Sequence, residues 1–253
     1  MTNLTIQEIA NYTKNKPLIL HINPLGLLRM GSSNVDRFLN LHTVLNKIQR
    51  KGGNIATPSY SYSYTKNEVY DIKNTHSSLD EVSEYLRKNN KIKRTIDANF
   101  SYVLFGNGFS SKHLLISDYS SFGEGSMIEE VFNQDGYLGA IGGALEHLTE
   151  IHFLERKLNV PYRFDKIFAG TSIGNDGKMI DNKITYFCRD YNYTPSFYLK
   201  SYSQSDPYIF TSFEESSSNY MPSIFSSEKI SLEITGPLLY FKKTYWTARY
   251  LLE

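Results

Sequence analysis

Thr149, His152 and Glu155 are the residues of this sequence best spaced to do chemistry together. On a helix turning 100° per residue, this hydroxyl, imidazole and carboxylate share one side, while Ile151, Leu154 and Leu158 gather on the adjoining side. An imidazole titrates near neutrality and is the commonest general base, and a neighbouring carboxylate fixes its tautomer. Most lone helical histidines are structural or exposed, so the spacing is only moderately specific. A zinc-protease site is excluded. His147 and His152 sit about 140° apart on a helix and lack the HExxH spacing. No metal is expected.

The trio needs a strand and a helix to place it. The apolar run Tyr137 to Ile141 ends at Gly142-Gly143 and leads into the amphipathic helix, just beyond a strand's carboxyl end, where open α/β sheets bind ligands. Other helices announce themselves by capping boxes at Thr5-Ile6-Gln7-Glu8, Ser78-Leu79-Asp80-Glu81 and Ser126-Met127-Ile128-Glu129. Val35, Phe38, Leu41, Leu45 and Ile48 recur at helical spacing until Gly52-Gly53 stops the run. Short buried strands are expected at 17–21, 54–57, 102–105, 113–116 and 137–141, and further strands at 164–168 and 184–188. This alternation predicts an α/β fold, a single layered domain over residues 1–253 with a central mixed sheet flanked by helices. Residues 203–228 are Ser-rich and polar and read as a mobile loop, with a closing helix over 238–252.

Composition narrows the class. With 253 residues, 40% hydrophobic and 21% charged, the chain can bury a substantial core. A net charge of +1 and the lack of any Lys/Arg block argue against nucleic acid or acidic membranes as partners. The single cysteine, Cys188, excludes an internal disulfide and reads as a buried strand residue. No signal peptide or membrane-length apolar run is evident, so a cytoplasmic protein is expected.

Phosphate-binding loops of the P-loop and dinucleotide types are absent. Gly123-Glu124-Gly125-Ser126 precedes a capped helix whose free amides could hold an anion, a weak motif by itself. Ser59 to Tyr64 alternates Ser and Tyr, so in a strand its tyrosines would share one face and stack on a sugar, with Tyr60 the candidate contact. Asp97 lies before a strand and is either a turn residue or a ligand. His21 ends another strand and is followed by Asn23-Pro24-Leu25-Gly26, a turn where a ligand would approach backbone amides.

Taken in order, these segments resemble the aminoglycoside 3-N-acetyltransferase family, whose antibiotic N-acetyltransferase fold differs from the common GNAT fold. The resemblance is carried by Leu18-Ile19-Leu20-His21-Ile22-Asn23, Ala56-Thr57-Pro58, Asn74-Thr75-His76-Ser77 with Ser83-Glu84-Tyr85-Leu86-Arg87, and Gly123-Glu124-Gly125-Ser126-Met127. Most specific are Thr149, His152 and Glu155 after a glycine strand end, followed by Val160-Pro161-Tyr162-Arg163.

The resemblance implies acetyl-CoA as donor, direct transfer without an acyl-enzyme, and His152 as general base with Thr149 and Ser126 near the thioester. It implies that His21, Asn23, Gly31, Ser32, Ser33, Ser101, Gly125 and Ser126 lie along the CoA cleft. Glu155 and Glu146 would face a cationic acceptor, with Tyr60 and Asp97 also on the substrate side. The family's His-Pro pair before a Ser is replaced here by Asp97-Ala98-Asn99-Phe100-Ser101, and the serines after the strand-end His by Ile22 and Asn23. The balanced charge and the Arg94-Thr95-Ile96-Asp97 run look more like relatives that acylate amino sugars for surface polysaccharides than like antibiotic resistance enzymes. The second reading is a degenerate relative that binds CoA or a sugar without turnover. A homodimer is left open.

Overall fold

The computed structural model describes residues 6–28, 30–89, 93–141, 149–157, 159–160 and 162–190. Gly142-Gly143, Glu146, His147, the Ser-rich 203–228 segment and the 238–252 helix lie outside the described residues. Five helices are described: α1 (Ile6–Thr13), α2 (Asn34–Arg50), α3 (Glu81–Asn89), α4 (Met127–Asn133) and α5 (Ile151–Lys157). The strands are β1 (Leu18–Ile22), β2 (Ile55–Pro58), β3 (Tyr70–Asp71), β4 (Tyr102–Phe105), β5 (Tyr119–Ser120), β6 (Tyr137–Ile141), β7 (Arg163–Ile173) and β8 (Met179–Arg189).

The expected mixed α/β class is present, built on two four-stranded sheets. The first has the order β4-β2-β1-β6. In it β1 runs parallel to both β2 and β6, and β4 runs antiparallel to β2. The second has the order β3-β7-β8-β5 and is organised by the antiparallel β7–β8 ladder, from Arg163↔Arg189 to Ile173↔Met179.

Strand periodicity explains how the first sheet is buried on both faces. Leu18 and Leu20 of β1, with Val103 and Phe105 of β4, pack with α1, α2 and α3. Ile19, with Tyr102 and Leu104, packs with α4 and α5 on the opposite face. Such double burial accounts for the near-continuous apolar runs of these strands. On α2 the buried positions are Phe38, Leu41, Leu45 and Ile48, one stripe of an amphipathic helix. Ser33 and Asp36 form its capping box. The helix stops where Gly52 takes φ +91, and a Cβ on Gly53 would lie 2.5 Å from Ile48 Cγ2.

Four local expectations are corrected. Residues 113–116 are not a strand. Ser111–Leu114 forms a 3₁₀ turn because the buried His113 ring bonds to Tyr119 Oη and Glu130 Oε2, both at 2.9 Å. The Ser-Tyr alternation at 59–64 is not a strand either. Tyr62 takes φ +57, and Tyr60 and Tyr64 enter different apolar clusters. Asp80, not Ser78, caps α3, accepting from the Ser83 amide at 2.7 Å. Lastly, α5 begins only at Ile151, so Thr149 and Glu150 form the turn ahead of it.

α3 is also the seat of a strong ion pair. Arg87 binds Glu84 through two bonds of 2.7 Å, and the Ser77 amide donates to Glu84 Oε2 at 2.9 Å. Burial raises the Glu84 pKa, but the Arg87 bonds, the Ser77 amide and Lys88 outweigh it and bring it to about 2 from an ordinary 4.5. A depressed carboxyl stabilises the fold above its unfolded value and loses that contribution as the pH falls from about 4.5 towards about 2. Glu84→Gln is therefore expected to lower the urea midpoint at neutral pH and to flatten the acid limb, as checked by denaturation at stepped pH. An acid limb as steep as that of the wild type would refute the assignment.

Candidate active site

At the carboxyl ends of β1 and β2 lies a cavity of about 290 Å³. Leu20, Ile22, Pro58, Leu79, Val82 and Leu86 give it largely apolar walls. His21, Asn23, Thr57, Tyr60, Asp80, Ser83 and Thr149 supply the polar groups. Asn23 is there because its side chain caps the 3₁₀ turn Pro24–Leu27, accepting from the Leu25 amide at 3.0 Å. Asp80 is there because it caps α3.

Glu150 connects one side of this cavity to the sheet. Its carboxylate is only 1% exposed and meets three partners from distant parts of the chain. His21 Nε2 lies 2.8 Å from Oε2, and the hydroxyls of Tyr102 and Tyr60 donate to Oε1 at 2.9 and 3.3 Å. The two phenols also contact each other at 3.1 Å. Burial pushes the Glu150 pKa up, yet the charge and hydrogen bond of His21, joined by Tyr102, bring it below the ordinary value. Burial, followed by the Glu150 charge, drives Tyr60 and Tyr102 well above theirs, so both phenols remain donors. A carboxylate can only accept, so the hydrogen-bond network assigns a proton to Nε2 of His21.

The second imidazole pair stands on α5. His152 Nδ1 lies 2.6 Å from Glu155 Oε2, a spacing supplied by one helical turn. Tyr162 donates to the other carboxylate oxygen at 3.2 Å. Arg163 Nε is 2.7 Å from Glu155 Oε2, within ion-pair range though its N–H is poorly aligned for a hydrogen bond. A terminal nitrogen of Arg163 lies 3.3 Å from His152 Nε2, and the ring of Phe122 packs edge-on against the imidazole. Guanidinium donates and never accepts, while the carboxylate only accepts. His152 satisfies both neighbours with its proton on Nδ1 and its lone pair on Nε2, a tautomer assigned from the network. The two imidazoles thus carry opposite tautomers. The His152 amide donates to the Thr149 carbonyl at 3.1 Å, so His152 lies one turn beyond a residue that lines the cavity.

The structure separates the remaining expected site residues. Ser101 is fully buried, donates to the Ser59 carbonyl at 2.6 Å and accepts from Arg94, and it does not line the cavity. Ser126 is equally buried and caps α4 through the Glu129 amide, while the Gly125 amide donates to Glu129. These two form a helix start and do not line the cavity. Asp97 is buried in an Asx turn, accepting from the Asn99 and Phe100 amides at 2.9 Å, and burial raises its pKa. It serves a turn and is not among the described residues that line the cavity.

Gly31, Ser32 and Ser33 stand at the start of α2 outside the cavity lining. There Asp36 accepts from both serine hydroxyls, so a phosphate would meet a carboxylate. Glu155 turns to His152 and Arg163. Glu150, Asp80 and Arg163 were not assigned from sequence. Glu150 gave no signal, since its partner His21 is 129 residues away.

The fold is shared with solved acetyltransferases. The structure resembles AAC-VIa bound to sisomicin, with a TM-score of 0.65 and 13% identity over 98% of this chain and 99% of that one. It resembles AAC-IIIb in binary complex with CoASH, with a TM-score of 0.63 and 15% identity over 98% of each chain. It also resembles the YokD protein from Bacillus subtilis, with a TM-score of 0.60 and 16% identity over 96% of this chain and 99% of that one. At such identities the likeness defines a fold, that of the CoA-dependent antibiotic N-acetyltransferases. The sequence matches no curated protein. The model of the aminoglycoside 3-N-acetyltransferase family, however, matches residues 40–202. The chain belongs to that family and is by class a CoA-dependent N-acyltransferase.

The capping role of Ser126 is open to test. Ser126→Ala is expected to cost about 1 kcal/mol of stability, read by thermal melting, while acetyl-CoA turnover stays near the wild-type rate. A large loss of turnover in a folded variant would return Ser126 to the reaction.

Proposed function

We propose that the protein transfers an acetyl group from acetyl-CoA to the amino group of an amino sugar, with His152 as general base. The observation that carries this reading is the clamp on His152, which sits between Glu155 at Nδ1 and Arg163 at Nε2. Glu155 fixes the tautomer that leaves the lone pair on Nε2, and Arg163 must yield that nitrogen for it to accept a proton. An amine attacks a thioester only in its neutral form. His152 takes the proton released as nitrogen bonds to the carbonyl carbon, a contribution of about 100- to 10,000-fold. Glu155 balances the positive charge that then develops on the ring.

Thr149, on the cavity wall beside this helix, is the candidate hydroxyl for the thioester carbonyl. The cavity has room for the reacting end of the donor, with the nucleotide end held outside it. His21 and Asn23 line the part where the thioester arm would lie.

The acceptor class rests on charge. Among the described lining residues Asp80 is the one carboxylate, beside walls of Leu, Ile, Val and Pro. One carboxylate suits an acceptor with a single ammonium group better than the several of an aminoglycoside. The aminoglycoside reading keeps its own support in the family and in a neighbour solved with sisomicin.

A free-thiol assay with acetyl-CoA and a panel of amino sugars, nucleotide-linked amino sugars and aminoglycosides tests the proposal. Thiol release is expected with an amino sugar, and His152→Ala is expected to lower kcat at least about 100-fold while CoA binding persists. Release with aminoglycosides alone would replace the acceptor. Full activity in His152→Ala would remove the base, and CoA binding without turnover on any acceptor would leave a binding protein.

A further inference from the structure

The turn at 149–150 serves two imidazoles, and they face opposite electrostatic surroundings. His152 has a carboxylate on one ring nitrogen and a guanidinium on the other. His21 has the buried Glu150 carboxylate at Nε2. Its Nδ1 has no partner among the described residues and is not one of the buried unpaired atoms, while the ring lines the cavity. A carboxylate on one nitrogen and an open second nitrogen make the arrangement of a proton-accepting dyad.

The chemistry of the reaction asks for such a group. An amine enters near neutral pH largely as an ammonium ion. Two protons must leave its nitrogen, one before attack and one from the adduct. His152 accounts for the second.

We infer that His21, held by Glu150, is a further catalytic residue of this site, the acceptor of the first proton from the substrate's ammonium group. The inference rests on the acyl-transfer reading. The ammonium N–H bond breaks with its electron pair left on nitrogen, and the proton passes to His21 Nδ1. The neutral amine bonds to the thioester carbon, and His152 takes the second proton. The C–S bond then breaks with its pair leaving on sulfur. One of the two protons ends on the thiolate as thiol, and the other returns to solvent.

The charged and titratable groups around His21 suit this task. Glu150 contacts it from the turn before α5, and Tyr60 and Tyr102 reach it through that carboxylate from the segment after β2 and from β4. Asp80, ahead of α3, lines the same cavity. An imidazolium at His21 would complete an ion pair with Glu150 and so avoid an isolated buried charge. Asp80 adds negative charge on the path of an entering ammonium.

The pH dependence of kcat/KM decides the matter, measured on the intact protein with saturating acetyl-CoA and the active amine of the panel. His21→Asn is expected to run about 100-fold slow near neutrality. Its deficit should shrink by about tenfold per pH unit as solvent deprotonates the acceptor, and close above the amine's own pKa. His152→Ala should stay slow at every pH.

A His21→Asn deficit that is constant with pH marks a merely structural role and overturns the inference, as does an unimpaired variant. Should His21→Asn lose its cooperative thermal transition, and so its fold, Glu150→Gln replaces it. That variant keeps the shape and should show the same pH-recoverable deficit, and a constant one overturns the inference. Wild-type protein inactive on every amine would instead sink the acyl-transfer reading beneath it.

Discussion

A buried carboxylate at Glu150 fixes where the strands of the first sheet end. An ionised carboxylate taken alone into a low-dielectric interior is too costly to persist. Here three donors meet it, one each from β1, from the segment after β2 and from β4. Those donors lie 129, 90 and 48 residues away along the chain, so one charge ties three long-range closures together. The same anchor sets the start of α5 and thereby the placement of Thr149 and His152. An apolar cluster could fill such a volume at no loss of stability. What a carboxylate adds is a directed proton on the His21 ring, which packing alone would not supply.

The sheet puts His21 within reach of this anchor by periodicity. Ile19 and His21 are two apart on β1, and Ile19 belongs to the apolar cluster that contains Tyr60, Tyr102 and Phe153. His21 therefore falls on the face covered by α4 and α5, where residue 150 arrives. Leu18 and Leu20 fall on the other face with α2 and α3. The cavity opens at the strand ends, where both faces contribute, and this explains walls drawn from Leu20, Val82 and Leu86 beside polar groups from the opposite layer.

Much of the scaffold was legible in the sequence because local rules dominate there. The stripe on α2, its glycine stop, the Ser126 cap and the strands at 102–105 and 137–141 each rest on neighbouring residues. Errors arose where tertiary partners overrode local pattern. His113 left the expected strand for buried bonds to Glu130 and Tyr119, and the tyrosine alternation gave way to separate burial of Tyr60 and Tyr64. The hydroxyls of Ser101 and Ser126 and the Asp97 carboxylate, expected in the cleft, went to close backbone polar groups. On α5 the His152–Glu155 pair was readable from one helical turn, whereas Glu150 was not. An acidic residue ahead of a helix is locally ordinary, and no sequence period joins positions 21 and 150.

The two imidazole pairs differ in the sign of what surrounds them. His152 Nε2 lies 3.3 Å from a guanidinium that can only donate to it. Glu155 is shared between His152 and Arg163. His21 faces the Glu150 carboxylate at Nε2 and turns the rest of its ring to the cavity. Under the proposed reaction, then, the imidazole that Glu150 holds by one nitrogen takes the first proton, and the one clamped on both nitrogens must exchange its Arg163 contact to take the second.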